Sequence, residues 1–90
     1  MRLFNIVTKP TYKRAVRVDT HDYDEMCEIV AWCNGEAIAE DDHVIAFQTV
    51  DGNRATVGDG DWIIQGVVGE FYPCNPEVFG QSFEFVDGSN

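Results

Sequence analysis

The chain is short of cations after its first seventeen residues, of paired cysteines and of long apolar runs, and each shortage excludes something. No apolar stretch approaches the ~18 residues needed to span a bilayer. The N-terminus has no basic segment leading into an apolar one and a small-residue cleavage site. A soluble, cytosolic chain with no membrane partner is therefore expected. Three cysteines without regular spacing argue against a secreted disulfide scaffold and for reduced thiols. Neither Cys27, Cys33 and Cys74 nor His21 and His43 fall at the paired spacings of zinc sites, so they read as core thiols and isolated imidazoles. Gly58, Gly60, Gly66 and Gly69 match neither the dinucleotide nor the phosphate-loop pattern. Asp59-Gly60-Asp61 runs straight into Trp62-Ile63-Ile64 instead of the spaced oxygen ligands of a calcium loop. These glycines read as turns, and no metal or cofactor is expected.

What is present is a single small domain. Ninety residues bury only about 60–65% of their unfolded surface, which predicts a core one layer thick. A core that small is compatible with borrowing stability from a partner or from a second copy in a homodimer.

The formal net charge of −10 is distributed unevenly. Arg2, Lys9, Lys13, Arg14 and Arg17 precede Val18, all sixteen acids follow it, and Arg54 is the single later cation. A surface this negative repels phosphate backbones, so direct nucleic-acid binding is not expected. It suits a basic protein partner, and one form of that reading is an acidic competitor of nucleic acid for such a partner. The simplest alternative is that the charge keeps a small chain soluble.

The densest run of aromatics, glycines and prolines, residues 57–79, reads as the centre of the fold. A strand starts at Trp62, reverses at Gly66 to Gly69 and returns as Glu70-Phe71-Tyr72-Pro73-Cys74, after which Pro76 opens a short helix. Ile63 and Ile64 point to opposite faces, so that strand is expected to be covered on both sides. Before it, residues 2–7 and 12–18 read as strands broken at Lys9-Pro10. The second places Tyr12, Arg14, Val16 and Val18 on one face and Lys13, Ala15 and Arg17 on the other, as a half-buried strand whose cations pair with later acids. Thr20-His21-Asp22 caps a helix over about residues 23–33, closed by Asn34-Gly35. Its predicted apolar stripe is Tyr23, Met26, Cys27, Val30 and Cys33, which leaves Trp32 between Glu25 and Glu28. Glu36 to Ala39 reads as an edge strand, Glu40-Asp41-Asp42 as an acidic turn, and residues 43–50 as a central strand. Asp51-Gly52-Asn53 turns into residues 54–57, and Phe83 to Val86 alternates as a last strand before a polar tail. The expected fold is α+β: a mixed, mostly antiparallel sheet of five to seven short strands, one main helix at about 23–33 and a short C-terminal helix at about 76–82.

Two chemistries compete for the function. Cys74 precedes a helix start, where the helix dipole lowers a thiol pKa, and His43 is a candidate base, which together outline a small cysteine-dependent enzyme or metal-binding protein. No third group or oxyanion loop accompanies them, so no catalytic residues are assigned. The out-of-stripe Trp32, with Asp24, Glu25, Glu28, Glu40, Asp41 and Asp42 around it, instead outlines a contact surface for a protein partner.

Lys9-Pro10, Ala15-Val16, Trp32-Cys33-Asn34-Gly35, Gly60-Asp61-Trp62-Ile63-Ile64 and above all Gly69-Glu70-Phe71-Tyr72-Pro73-Cys74-Asn75-Pro76 carry a likeness. In this order they resemble the small phage and prophage proteins of the PGDYG type, a family of uncharacterised proteins. The name motif itself departs, with Asp59, Trp62 and Ile63 where that family has proline, tyrosine and glycine. Asn75 stands where the family often has lysine. The resemblance implies a phage-encoded protein acting in a bacterial cytoplasm, with no catalytic residues to transfer. Together with the missing catalytic constellation and the out-of-stripe Trp32, it motivates a non-enzymatic protein that binds a host or phage protein.

Overall fold

The computed structural model describes residues 1–8, 11–40 and 43–85. The chain order is β1 (Phe4–Thr8), β2 (Thr11–Arg17), α1 (Tyr23–Trp32), β3 (Glu36–Glu40), β4 (His43–Gln48), β5 (Arg54–Gly58), β6 (Trp62–Gln65), β7 (Phe71–Cys74), α2 (Pro76–Ser82) and the two-residue β8 (Glu84–Phe85). The fold is α+β, as expected, with both helices at their predicted places. The strands differ from expectation in forming two sheets, ordered β7-β6-β2-β1-β8 and β3-β4-β5. Every pairing among the described residues is antiparallel.

The larger sheet has a core on each face, so the expectation of a single core layer is overturned. Val16, Val18, Ile63 and Phe71 face Ile45, Phe47 and Val57 of the smaller sheet together with Ile29 and Cys33 of α1. On the other face Ile6, Ala15, Trp62 and Ile64 meet Phe79 of α2. Strand alternation explains the division, since Ile63 and Ile64 are both fully buried but on opposite faces. β2 is likewise buried on both faces at Ala15 and Val16, because it lies between β1 and β6 and not at the half-exposed position expected for it. Each fully buried isoleucine contributes about 1.5–3 kcal/mol through removal of its side chain from water. On the second face the indole of Trp62 stacks on Phe79 at 3.9 Å and 3°.

Local chemistry sets the helix ends. Asp22 accepts the Glu25 N–H at 3.1 Å and caps α1. At the other end Asn34 takes φ 53°, its N–H donates to Ala31 O, and the Gly35 N–H reaches Val30 O at 2.9 Å, a Schellman closure. α2 begins with Asn75 accepting the Val78 N–H at 2.8 Å and Pro76 in its first turn. β4 is the central strand of the small sheet and β3 its edge, as expected. The turn expected at Gly66 to Gly69 is present, with Gly69 at φ 86° and the Gly66 N–H donating to Glu70 O at 2.8 Å.

Candidate functional site

α1 carries the candidate contact surface, and its buried stripe is rotated from the one expected. Ile29 and Cys33 are buried, Met26 and Val30 half-buried, while Cys27 is exposed and Tyr23 is 79% exposed. At 100° per residue this moves the buried direction by roughly 60° toward Ile29. Ile29 is the determining residue: it lies outside the expected stripe and is fully buried in the larger core.

The same rotation accounts for Trp32. Its azimuth now falls on the flank of the buried stripe, where the indole packs edge-on against Phe71 with ring centroids 4.9 Å apart. Trp32 is half-buried by its own chain, and the aromatic ring that α1 presents outward is Tyr23. The Cys27 thiol one turn on raises the Tyr23 phenol above its ordinary pKa.

Among the expected contact acids, Asp24 and Glu28 are exposed and Glu25 is half-buried. Glu28 is engaged within the chain, accepting from the Met1 ammonium at 3.0 Å and raising that amine's pKa. Glu40 ends β3 opposite His43, so it belongs to the small sheet and not to α1. Asp41 and Asp42 lie outside the described residues, as do Lys9 and Pro10. Asp22 extends the acidic edge through the cap.

The loop before α1 adds a group that sequence spacing does not disclose. Asp19, His21 and Asp59 lie together beside the start of α1. Thr20 N–H donates to Asp59 at 3.0 Å and His21 N–H to Asp19 at 2.9 Å. The Thr20 bond holds the Asp59 carboxyl below its ordinary pKa, opposed by burial and helped by the nearby charges of His21 and Arg17. The signal for this group lay in strand pairing: once β2 lies against β6, the loop after β2 must meet the turn before β6.

Lys13 and Arg14 of β2 bond to neutral groups among the described residues, and not to the acids expected for them. Lys13 Nζ donates to the Tyr72 hydroxyl at 2.6 Å and lies 5.1 Å from that ring's centroid. Arg14 donates twice to Gln65 Oε1, at 3.2 and 3.0 Å. An open groove of about 510 Å³ runs past Asn5, Arg14, Gln65 and Gly66, but Arg14 is already engaged there by Gln65.

The thiols also depart from expectation. Cys33 alone is a core thiol, its pKa raised by burial. Cys74 is half-buried, and burial together with the Asp61 charge pushes its pKa up, opposite to the lowering expected from the helix start. Helix α2 begins two residues later, and the Cys74 thiol turns to Asn75 O at 3.6 Å. His43 is exposed on β4 in the other sheet, and among the described residues no hydrogen bond or ion pair links it to Cys74. Comparison with family models, curated proteins and solved structures finds none that matches this chain.

Proposed function

We propose that this chain is a non-enzymatic interaction module that offers the acidic outer face of α1 and the loop before it to a basic surface on another protein. The observation that carries the reading is Tyr23, a large ring 79% exposed and flanked by Asp22 and Asp24. An exposed aromatic bordered by charge is the kind of residue that becomes an interface anchor, with the charges acting as a rim that steers encounter. The raised Cys74 thiol and its separation from His43 add nothing to the enzymatic alternative. In keeping with the phage-type resemblance, the partner is a bacterial host or phage protein in the host cytoplasm, and one consequence of binding it is displacement of nucleic acid from its basic surface.

Capture from a bacterial lysate with wild type and with Tyr23→Ala tests the assignment, followed by association kinetics on the retained protein at low and physiological ionic strength. Retention by wild type, loss with Tyr23→Ala and an on-rate that falls with salt are expected. Equal retention by Tyr23→Ala, or an on-rate indifferent to salt, overturns it.

A further inference from the structure

The Asp19, His21 and Asp59 side chains form a mixed cluster of one imidazole and two carboxylates. Each offers one ligand atom, and the three atoms lie within 4.8 Å of one another. They come from two segments locked together by the backbone: Val18 N–H donates to Asp61 O at 2.8 Å, and Gly60 N–H donates to Val18 O at 2.8 Å. The Thr20 and His21 amide bonds to Asp59 Oδ1 and Asp19 Oδ1 orient each carboxylate through one oxygen. The second oxygen of Asp59 faces the imidazole, with Nε2 to Oδ2 at 3.9 Å. That is too long for a hydrogen bond. Two donors on one tetrahedral ion at ~2.1 Å are about 3.4 Å apart, so closing the His21–Asp59 pair on an ion needs a shift of about half an ångström, and a pair at the 4.8 Å bound about 1.4 Å. The His21 side chain, 84% exposed, is free to make it.

We infer that Asp19, His21 and Asp59 bind one divalent cation of the zinc class, with the remaining coordination positions left to water. One imidazole and two carboxylates suit a borderline cation; a thiolate-seeking ion finds no sulfur there, and calcium or magnesium prefers oxygen alone. Neighbouring acids are committed elsewhere: Asp61 Oδ2 accepts the Gly58 N–H at 2.9 Å, and Asp22 caps α1. The chain's net charge of −10 raises the local concentration of cations. The bound ion clamps the loop after β2 to the turn between β5 and β6.

Chelator-treated protein is titrated with zinc chloride by calorimetry in a Cys27→Ser background, so that the exposed thiol does not compete. The fold of each variant is checked by its amide NMR spectrum. One ion per chain is expected, with affinity at least about tenfold weaker in His21→Ala and Asp59→Asn and unchanged in Asp22→Asn. Excess zinc should raise Tm by several degrees in the parent and not in His21→Ala. Absence of saturable binding, or binding of equal strength in His21→Ala, overturns the site and leaves an exposed ion pair.

Discussion

The indole of Trp32 meets the ring of Phe71 edge-on at 4.9 Å and 74°, and this contact ties the flank of α1 to β7 in the larger sheet. Trp32 therefore acts within the fold. Trp32→Ala should cost about 2–3 kcal/mol, because a large half-buried ring is lost and its space is only partly refilled. Urea denaturation measures this directly. A midpoint unchanged from wild type would mean that the indole is dispensable to the core.

Tyr23→Ala provides the contrast. With 79% of the residue already in water, its removal should change stability by less than about 0.5 kcal/mol. The two variants measured side by side separate a packing aromatic from a presented one.

Gly35 is where the chain leaves α1 for β3, and a Cβ there would stand 2.6 Å from Ala46 O and 2.9 Å from Cys33 Sγ. The carbonyl belongs to the central strand of the small sheet and cannot move aside cheaply. Gly35→Ala should destabilise the protein by about 1–3 kcal/mol. Gly80→Ala, where nothing lies within 4 Å of the added carbon, should not. Thermal unfolding of the pair checks the contrast.

The three thiols should react in order of exposure. A chromogenic disulfide reagent near neutral pH should label Cys27 first, Cys74 more slowly and Cys33 only as the chain unfolds. The Cys33 pKa is raised in the fold by burial, so the folded chain holds that proton more tightly than the unfolded one. Stability is full below the ordinary thiol value of about 8.5 and falls as pH rises from there through the folded value. Cys33→Ala should flatten this alkaline decline in a pH series of denaturation midpoints.

At the acid end the sign reverses. Asp51 has a lowered pKa, chiefly through the Thr49 hydroxyl and the Asn53 N–H that it accepts in the β4–β5 turn. Asp59 is lowered mainly by Thr20. Their stabilisation is present above the ordinary aspartate value of about 3.9 and is lost as pH falls through the lower folded values. Asp51→Asn should reduce the dependence of the denaturation midpoint on pH below about 4, and an unchanged slope would assign acid sensitivity to other carboxylates.

Much of the fold was legible because local signals agreed with one another. Asn34-Gly35, Asn75-Pro76 and Gly66 to Gly69 each carry the residue types their turn or cap requires, and each ends or begins an element where expected. The Ile63-Ile64 pair announced a strand covered on both faces. Alternation along β2 sets Arg14 among Val16 and Val18 on one face and Lys13 and Arg17 about Ala15 on the other, which predicts a half-buried strand. Its centre at Ala15 and Val16 is nevertheless enclosed, since β6 pairs there from far along the chain. The rotated stripe of α1 has a similar cause: Tyr23 and Cys27 are apolar enough to face inward, and the decision lay in where Ile29 found the core. Asp19, His21 and Asp59 were invisible for the same reason, because their proximity follows from a strand pairing that no local spacing encodes.

The placement of β2 beside β6 also bears on synthesis. Arg14 and Gln65 are neighbours in the sheet but 51 residues apart in the chain. At about 5–20 residues per second, the β1–β2 hairpin waits roughly 3–10 s on the ribosome before its partner strand exists. During that interval Ile6, Ala15 and Val16 lack the β6 and α2 residues that later enclose them. β8 pairs with β1, so the same hairpin receives its other neighbour only when synthesis reaches residue 85. A nascent chain stalled before Trp62 should therefore expose an apolar hairpin to chaperones and proteases, and release that protection requirement only once β6 has emerged.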